Sequence, residues 1–294
     1  IRPRSVSRGL GDVYKRQCQD CPRNCLVDRS KTTGFCGAPN KIVVAKVIEN
    51  FAWEEPSISG EKGTLAIFFA GCNLKCEFCQ NYQISRTAKG KEYSPNEFYL
   101  YLSNFDLSKY SAIEFITPTH FSSLLLEALR GKKLPLPIVW NSSGYEKKEM
   151  IETLAEIVDV FMPDLKYYSS ELSKRYSLAE DYFDYASKSI KAMRKLKPDI
   201  IIDGQMRQGL LVRHLVLPSC YKDSLKVLDY IASLGKTQIS LMCQFTPTKY
   251  SSIKRRLYPL EYKIVLNYAG KLGLNQGYIQ ELSSSSEDYI PEFN

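Results

Sequence analysis

The sequence predicts an α/β protein, a partial (β/α)6 TIM-like barrel with a small cysteine-rich N-terminal extension. Six apolar runs rich in β-branched residues predict buried strands, and helical patterns lie between them. Strands that alternate with helices form parallel sheets, and six strands are too few for a closed eight-stranded barrel. The runs cover residues 65–70, 112–117, 137–141, 158–162, 210–217 and 238–245.

The helices are predicted from apolar spacing and from their end signals. Ser94 precedes Pro95, and Glu97 follows two residues later, which predicts an N-cap, a proline at the first helical position and a capping box. Gly131 and Gly235 follow two other helical patterns and are predicted to end those helices. Those two helices cover residues 123–130 and 224–234, and apolar spacing predicts three more over residues 148–156, 185–196 and 260–272.

Three cysteines follow the first predicted strand in one short loop. Cys72, Cys76 and Cys79 have the spacing C-x3-C-x2-C. A cubane iron–sulfur cluster normally takes four thiolates, so three would leave one iron open. An open metal position can bind a substrate or cofactor, as catalytic zinc sites do. Three buried thiols or a zinc knuckle are the alternatives, but a zinc site would want a fourth ligand close by, and none follows.

This motif, including Phe78 before the last cysteine, resembles that of the radical S-adenosylmethionine (SAM) superfamily. The resemblance implies a [4Fe-4S] cluster on Cys72, Cys76 and Cys79. It also implies that SAM binds the open iron and is cleaved reductively to a 5′-deoxyadenosyl radical, which abstracts a hydrogen atom from a substrate. In such enzymes the cofactors carry the chemistry, and the protein supplies orientation and excludes water.

Polar residues follow the other predicted strands at the end that bears the cysteine loop. Barrel enzymes collect their chemistry at the carboxyl ends of the strands. A zwitterionic, ribose-bearing ligand needs cationic donors for its carboxylate and oxygen acceptors for its ammonium and hydroxyl groups. Buried structural histidines, an Asp–Lys ion pair and an arginine that bridges strands are the alternatives. The predicted cofactor-binding residues are Thr117, Thr119, His120, Asn141, Ser143, Asp164, Lys166, Arg213 and His214.

A second group of cysteines precedes the barrel. Cys18, Cys21, Cys25 and Cys36 have the spacing C-x2-C-x3-C-x10-C. Four thiolates can close the coordination sphere of a zinc ion or of a second iron–sulfur cluster. A closed site would serve structure or electron relay. The spacing does not choose the metal, and a disulfide pair or unpaired thiols remain alternatives.

Longer segments resemble uncharacterised homologues of pyruvate formate-lyase activating enzyme. The resemblance spans about residues 18–280 and implies a barrel of the radical SAM type. It implies that Phe78 contacts the adenine, and that Asp164 and Lys166 lie near SAM and the site of hydrogen abstraction, where we expect both to act in catalysis. The matching segments are 21–25, 53–56, 58–60, 68–72, 80–82, 117–121, 141–145, 163–166 and 213–218.

Two departures from this family pattern affect the expected site. Many members carry Gly-Gly-Glu where residues 117–120 stand, and that motif contacts the SAM amino group. Thr117, Thr119 or His120 would have to supply the contact here. Phe51 stands where the resemblance leads us to expect a histidine.

Composition bounds the remaining choices. The chain has 294 residues, 44% of them hydrophobic, and a net charge of +8 that is spread without a basic block. We interpret the charge as a solvated surface, with docking of an acidic partner as the alternative. No apolar run approaches the roughly 20 residues that cross a bilayer. Nine cysteines clustered by spacing indicate metal ligation in a reducing cytoplasm rather than disulfides.

The domain organisation predicted from these observations has four parts. Residues 1–17 lack a periodic apolar pattern, and residues 12–17 resemble a translated sequencing adaptor, so we predict a non-native assembly scar. A disordered natural N-terminus is the alternative. Residues 18–60 form the cysteine-rich segment, 61–280 the radical SAM core and 281–294 a flexible tail.

The sequence therefore favours a radical SAM enzyme but leaves its substrate and its reductant open. Its substrate could be a glycyl-radical enzyme, another polypeptide or a small molecule, and its reductant a protein such as flavodoxin or ferredoxin. The main alternative is an iron–sulfur electron-transfer or metal-binding module without SAM chemistry, which predicts closed coordination at both cysteine groups. A nucleic-acid-binding zinc knuckle is disfavoured, because few basic and aromatic residues surround Cys18–Cys36.

Overall fold

The computed structural model describes residues 17–282, and the predicted scar and tail lie almost entirely outside them. Its centre is one sheet with the strand order β10-β9-β8-β6-β5-β4-β2-β1-β3, while β7 pairs with β8. The strands are β1 (Ile42–Phe51), β2 (Thr64–Phe69), β3 (Lys91–Tyr93), β4 (Ala112–Ile116), β5 (Ile138–Ser142), β6 (Val160–Pro163), β7 (Ile200–Ile202), β8 (Gln205–Leu215), β9 (Gln238–Met242) and β10 (Gly277–Ile279).

The predicted parallel barrel strands are confirmed. Strands β2, β4, β5, β6, β8 and β9 correspond to the six apolar runs, and each pairs in parallel with its neighbour. The short strand β10 extends this parallel series beyond β9. At the other edge, β1 runs antiparallel to β2 and carries β3. The sheet is therefore an open, partial barrel with an antiparallel margin.

Most of the helices pack on the outer face of the sheet, and the first, short one lies inside the barrel. They are α1 (Pro56–Ser59), α2 (Tyr82–Ser85), α3 (Pro95–Ser103), α4 (Ser122–Leu129), α5 (Lys148–Leu154), α6 (Ser170–Ser177), α7 (Tyr182–Leu196), α8 (Tyr221–Ser233) and α9 (Pro259–Lys271). The predicted capping box of α3 is present, because Ser94 and Glu97 exchange both hydrogen bonds. Along the part of the chain that the structure describes, no helix combines the length and apolarity needed to span a membrane.

The two faces of the sheet have different packing. Alternate residues of a strand point to opposite faces. Leu65, Ile67 and Phe69 of β2 belong to the main core between sheet and helices. Ala66 and Phe68 face the other way, into the interior of the barrel. The side chains inside the barrel therefore form a layer separate from the main core, and their size and polarity decide what the protein can bind.

The four-residue helix α1 fills the lower part of that interior. Ile58 of α1 packs against buried side chains of four neighbouring strands, namely Ala112, Val139, Val160, Met162 and Leu211. Residues 52–59 therefore form a floor inside the barrel. Glu54 and Glu55, which directly precede α1, line the space above this floor. The sequence pattern did not predict this segment as part of the barrel.

Candidate functional site

A cavity of about 240 Å³ opens above the floor, at the carboxyl ends of the parallel strands. The cysteine loop forms one of its walls. The structure brings together here most of the residues predicted from the sequence. Those that line the cavity are Cys72, Cys76, Phe78, Cys79, Thr117, Asn141, Ser143, Asp164, Lys166 and Arg213.

The cysteine loop leaves β2 through a turn that requires glycine. Gly71 has φ +83°, and a Cβ at this position would lie 2.6 Å from the Cys36 carbonyl oxygen. The N-terminal cysteine segment thus packs directly behind the loop. Farther on, the Glu77 amide donates to the Tyr176 carbonyl oxygen at 3.0 Å. These contacts fix both ends of the loop, so its three thiols have defined positions.

Each of the three thiols has a polar neighbour. The Leu74 amide donates to Cys72 Sγ at 3.3 Å, and the Ser177 hydroxyl donates to Cys76 Sγ at 2.9 Å. Cys79 Sγ lies 3.4 Å from the Ser85 hydroxyl. Burial raises the pKa of Cys72 to about 12, and burial also raises that of Cys76. Buried thiols of this kind lose their protons when they coordinate a metal.

The donor set of the loop fits an iron–sulfur cluster better than a single ion. Among residues 17–282, no three His, Cys, Asp or Glu side chains are grouped closely enough to hold one metal ion. A cubane cluster binds each cysteine through a different iron, so its ligands stand farther apart. Three thiols on one cavity wall, next to polar groups, are therefore suited to a cluster that keeps one iron accessible.

The four N-terminal thiols lie behind the loop rather than in the cavity. Cys21 and Cys36 are buried, while Cys18 and Cys25 are half-buried. Arg29 is also buried here, 3.9 Å from Cys36 Sγ, and it forms an ion pair of 3.6 Å with Asp20. Within residues 17–282, these cysteines do not lie close enough together for three of them to hold one metal ion. Metal binding by these four cysteines, as a zinc site or as a second iron–sulfur cluster, therefore stays a prediction.

Arg213 is the centre of a buried polar network inside the barrel. Its guanidinium donates to Glu54 Oε2 at 2.7 Å, Asn141 Oδ1 at 2.7 Å and Asp164 Oδ1 at 3.3 Å. Asn141 in turn donates to Glu114 Oε1 at 2.7 Å. The network links the floor to strands β4, β5 and β8, and so it holds the barrel interior in one arrangement.

Asp164 and Lys166 form an ion pair at the end of β6. Lys166 Nζ lies 2.5 Å from Asp164 Oδ2. Burial raises the pKa of Asp164, but Lys166 and Arg213 outweigh that effect and hold it below its ordinary value. Burial lowers the pKa of Lys166, while Asp164 and the nearby Cys76 thiol more than compensate and raise it. The pair is therefore charged, and its cation lies on the cysteine side of the cavity.

Two glutamates of the barrel interior were not predicted as site residues. Burial raises the pKa of Glu114, and burial together with Glu114 raises that of Glu54 despite the attraction of Arg213. The network therefore holds fewer negative charges than its carboxyl groups would suggest. The sequence contains an indication of each residue. Glu54 lies in one of the segments that resemble the family, and Glu114 is a charged residue within an apolar strand.

Three predicted residues lie away from the cavity. His214 follows Arg213 in β8, so its side chain points to the opposite face, where it contacts the Leu165 carbonyl oxygen at 2.7 Å and the Ser224 hydroxyl at 2.9 Å. His120 contacts the Ala70 carbonyl oxygen at 2.8 Å. Thr119 donates to buried Glu146 at 3.0 Å. Burial lowers the pKa of His214 to about 4 and that of His120 to about 3, so both rings are neutral.

Two polar atoms that line the cavity are buried without a hydrogen-bond partner. They are Glu55 Oε2 and Thr246 Oγ1. Buried polar groups are nearly always hydrogen-bonded, so unpaired ones at a cavity indicate a ligand that completes them. An acceptor, a hydroxyl and the charged pair at Asp164 together suit a ligand with cationic and hydroxyl groups, as SAM has.

Comparisons with known proteins agree with this geometry. Residues 66–206 match the family model of the Radical SAM superfamily. The chain is 30% identical to an uncharacterised protein of Methanocaldococcus jannaschii over 289 residues, covering 91% of this chain and 78% of that protein.

Solved structures share the fold. SuiB of Streptococcus suis, solved with its precursor peptide SuiA, superposes with a TM-score of 0.53 at 14% identity over 76% of this chain. A radical SAM methyltransferase from Sphaerobacter thermophilus gives 0.52 at 12% identity, over 75% of this chain and 67% of its own. This chain covers only 49% of SuiB. At such identities the likeness concerns the fold alone.

Proposed function

This chain belongs to the radical SAM superfamily, and from that premise we propose that it cleaves SAM and abstracts a hydrogen atom from a substrate. A [4Fe-4S] cluster bound to the cysteine loop would supply the electron that breaks the sulfonium C–S bond and yields the 5′-deoxyadenosyl radical. The observation that carries the proposal is the position of Cys72, Cys76 and Cys79 on the wall of a polar cavity at the strand ends.

The residues around that wall have distinct roles in this proposal. The three cysteines hold the cluster, and the Ser177 hydroxyl, which donates to Cys76 Sγ, stabilises that sulfur as a thiolate. Asp164 offers a carboxylate to cationic groups of SAM, while Lys166 lies on the cysteine side as a counter-charge. Arg213 keeps Asp164 and Asn141 in place from below. The protein thereby orients a ligand before any reaction occurs.

Aromatic side chains on the same cavity exclude water. Phe51, Phe68, Phe78 and Phe245 all line it, and the rings of Phe78 and Phe245 lie 5.8 Å apart. A carbon radical must be kept from side reactions, and closed apolar walls serve that purpose. We assign the adenine contact to Phe78, as the family resemblance implies.

Activation of a glycyl-radical enzyme is the more specific form of this proposal. It is supported by the Asp164-Leu165-Lys166 segment, which resembles that of activating enzymes and lines the cavity with its two charged residues. A polypeptide substrate would have to reach the cavity as an extended loop. Radical SAM enzymes use reductants, and we propose a flavodoxin or ferredoxin for this one.

The test is SAM cleavage by the anaerobically reconstituted protein with dithionite. We expect 5′-deoxyadenosine from the wild type and none from Cys76→Ala, because the variant lacks one cluster ligand. Cys220→Ala is the matched control, since Cys220 lies at the start of α8 and does not line the cavity. Equal turnover in Cys76→Ala and wild type would refute the assignment of the cluster, and absence of turnover in the wild type would refute the function.

A further inference from the structure

Three acidic and two basic side chains line the cavity. Glu54, Glu55 and Asp164 line the cavity, with Lys166 and Arg213 as the cations. Lys166 is paired with Asp164, and Arg213 is paired with both Glu54 and Asp164. Glu55 forms no ion pair within the part of the chain that the structure describes, although Arg213 lies close enough for the two side chains to attract each other.

The Glu55 side chain takes no part in starting the helix that it precedes. Its residue precedes α1 at the N-cap position, yet its side chain makes no capping hydrogen bond. Instead the Glu55 backbone carbonyl accepts the bonds that start the helix, from the amides of Ile58 and Ser59. Its Oε2 atom is shielded from solvent and has no hydrogen-bond partner. Leaving a buried carboxylate oxygen unpaired is unfavourable, so a free carboxylate at a cavity indicates a ligand.

Two further features of the cavity suit a cationic ligand. Trp53 is 47% exposed, lines the cavity and lies against the Phe51 ring at 5.3 Å. Aromatic faces attract ammonium and guanidinium groups. Thr246 is buried, with 6% exposure, and its hydroxyl also lines the cavity without a partner. The Thr246 hydroxyl is a second unpaired group, independent of the acidic residues, and it also indicates a polar ligand.

We infer that Glu55 binds a cationic nitrogen, an ammonium or guanidinium group, of a molecule held in this cavity. The inference rests on the proposed function, because it concerns the cavity where SAM and the hydrogen donor would meet. The molecule that would bring this nitrogen is an amine- or guanidine-bearing hydrogen donor.

The first experiment measures binding without reductant, so that no turnover is needed. The probes for the reconstituted wild type, saturated with SAM, are n-butylamine and n-butylguanidine, with n-butanol as the uncharged counterpart. The measurements are repeated with the isosteric variant Glu55→Gln. Glu127→Gln is the matched control, because it removes the same charge from an exposed position on α4.

The wild type should bind the two cations about tenfold or more tightly than butanol, and Glu55→Gln should lose that preference, whereas Glu127→Gln should keep it. That result supports the inference. A Glu55→Gln protein that keeps the preference, or a wild type that shows none, would overturn it.

Thermal melting of the ligand-free protein separates binding from a structural role. Glu55→Gln exchanges a carboxyl oxygen without a hydrogen-bond partner for an amide of the same shape, so the melting temperature of the variant should not fall below that of wild type if the residue serves binding rather than the fold. A lower melting temperature would mean that the fold already pairs this carboxylate, and would count against the inference. Dithionite-driven 5′-deoxyadenosine formation by the wild type is measured in parallel. Its failure would refute the proposed function while leaving the binding result to stand by itself.

Discussion

Replacement of Arg213 by methionine tests whether the network inside the barrel holds the fold together. The Arg213 side chain is 14% exposed and pairs with Glu54 at 2.7 Å and Asp164 at 3.3 Å. Arg213→Met would leave Glu54 and its neighbour Glu114 without their shared cation inside the barrel. Removing one partner of a buried ion pair costs up to about 3–5 kcal/mol of the free energy of unfolding, and proton uptake by a carboxyl group with a raised pKa recovers part of that cost.

An exposed pair of similar length provides the comparison. Arg130 and Glu156 lie 2.8 Å apart, but their side chains are 53% and 54% exposed. Exposed pairs contribute about 0–1 kcal/mol, so Arg130→Met should have little effect. The two substitutions remove the same kind of side chain and the same kind of contact. The two pairs differ in burial, so we expect Arg213→Met to lower the free energy of unfolding by at least about 2 kcal/mol more than Arg130→Met does.

Urea unfolding, followed by circular dichroism, measures both variants against the wild type. The double variant Arg213→Met with Glu54→Gln should recover part of the loss, because Glu54 then carries no charge and Asp164 keeps Lys166. Equal unfolding midpoints for Arg213→Met and Arg130→Met would refute the idea that the network stabilises the barrel. A double variant no more stable than Arg213→Met would show that the loss comes from packing instead.

Two further predictions concern the N-terminal cysteines and the response to acid. Cys21→Ala should lower metal content or stability but leave SAM cleavage partly intact, and complete loss of the loop cluster in that variant would show that the two cysteine groups are not independent. The pKa of His214 falls from 6.5 to about 4 on burial, so the unfolded chain takes up its proton first and stability falls as the pH drops from 6.5 towards 4. Between neutral pH and pH 5, this effect lowers the free energy of unfolding by about 2 kcal/mol. Urea unfolding of His214→Gln should therefore show a loss of stability over that pH range that is smaller than the loss in wild type by this amount.

The elements whose signals are local could be predicted from the sequence. The six barrel strands are apolar runs that the parallel sheet buries, and Ser94 caps its helix as the Ser-Pro-x-Glu pattern requires. The antiparallel strand β1 was missed although residues 42–48 are largely apolar and β-branched. That strand lies within residues 18–60, which the cysteine spacing assigns to a cysteine-rich extension.

Some features of the candidate site were not predicted correctly from the sequence pattern. Arg213 and His214 were assigned to the cavity together, although neighbours in a strand point to opposite faces, and alternation alone could have separated them. Glu54 and Glu55 could not have been placed there from their sequence position, because they precede the first barrel strand. Only the insertion of α1 into the barrel brings them under the strand ends.

That insertion ties the pocket to a part of the chain that lies upstream of the strands surrounding it. The base of the binding chamber is contributed by residues 52–59, whereas its walls come from strands that begin at Thr64. Changes in a short stretch before the barrel can therefore reshape what the chamber accepts while every wall residue stays the same. Related proteins could diverge in ligand choice by that route, with their cluster-binding loop untouched.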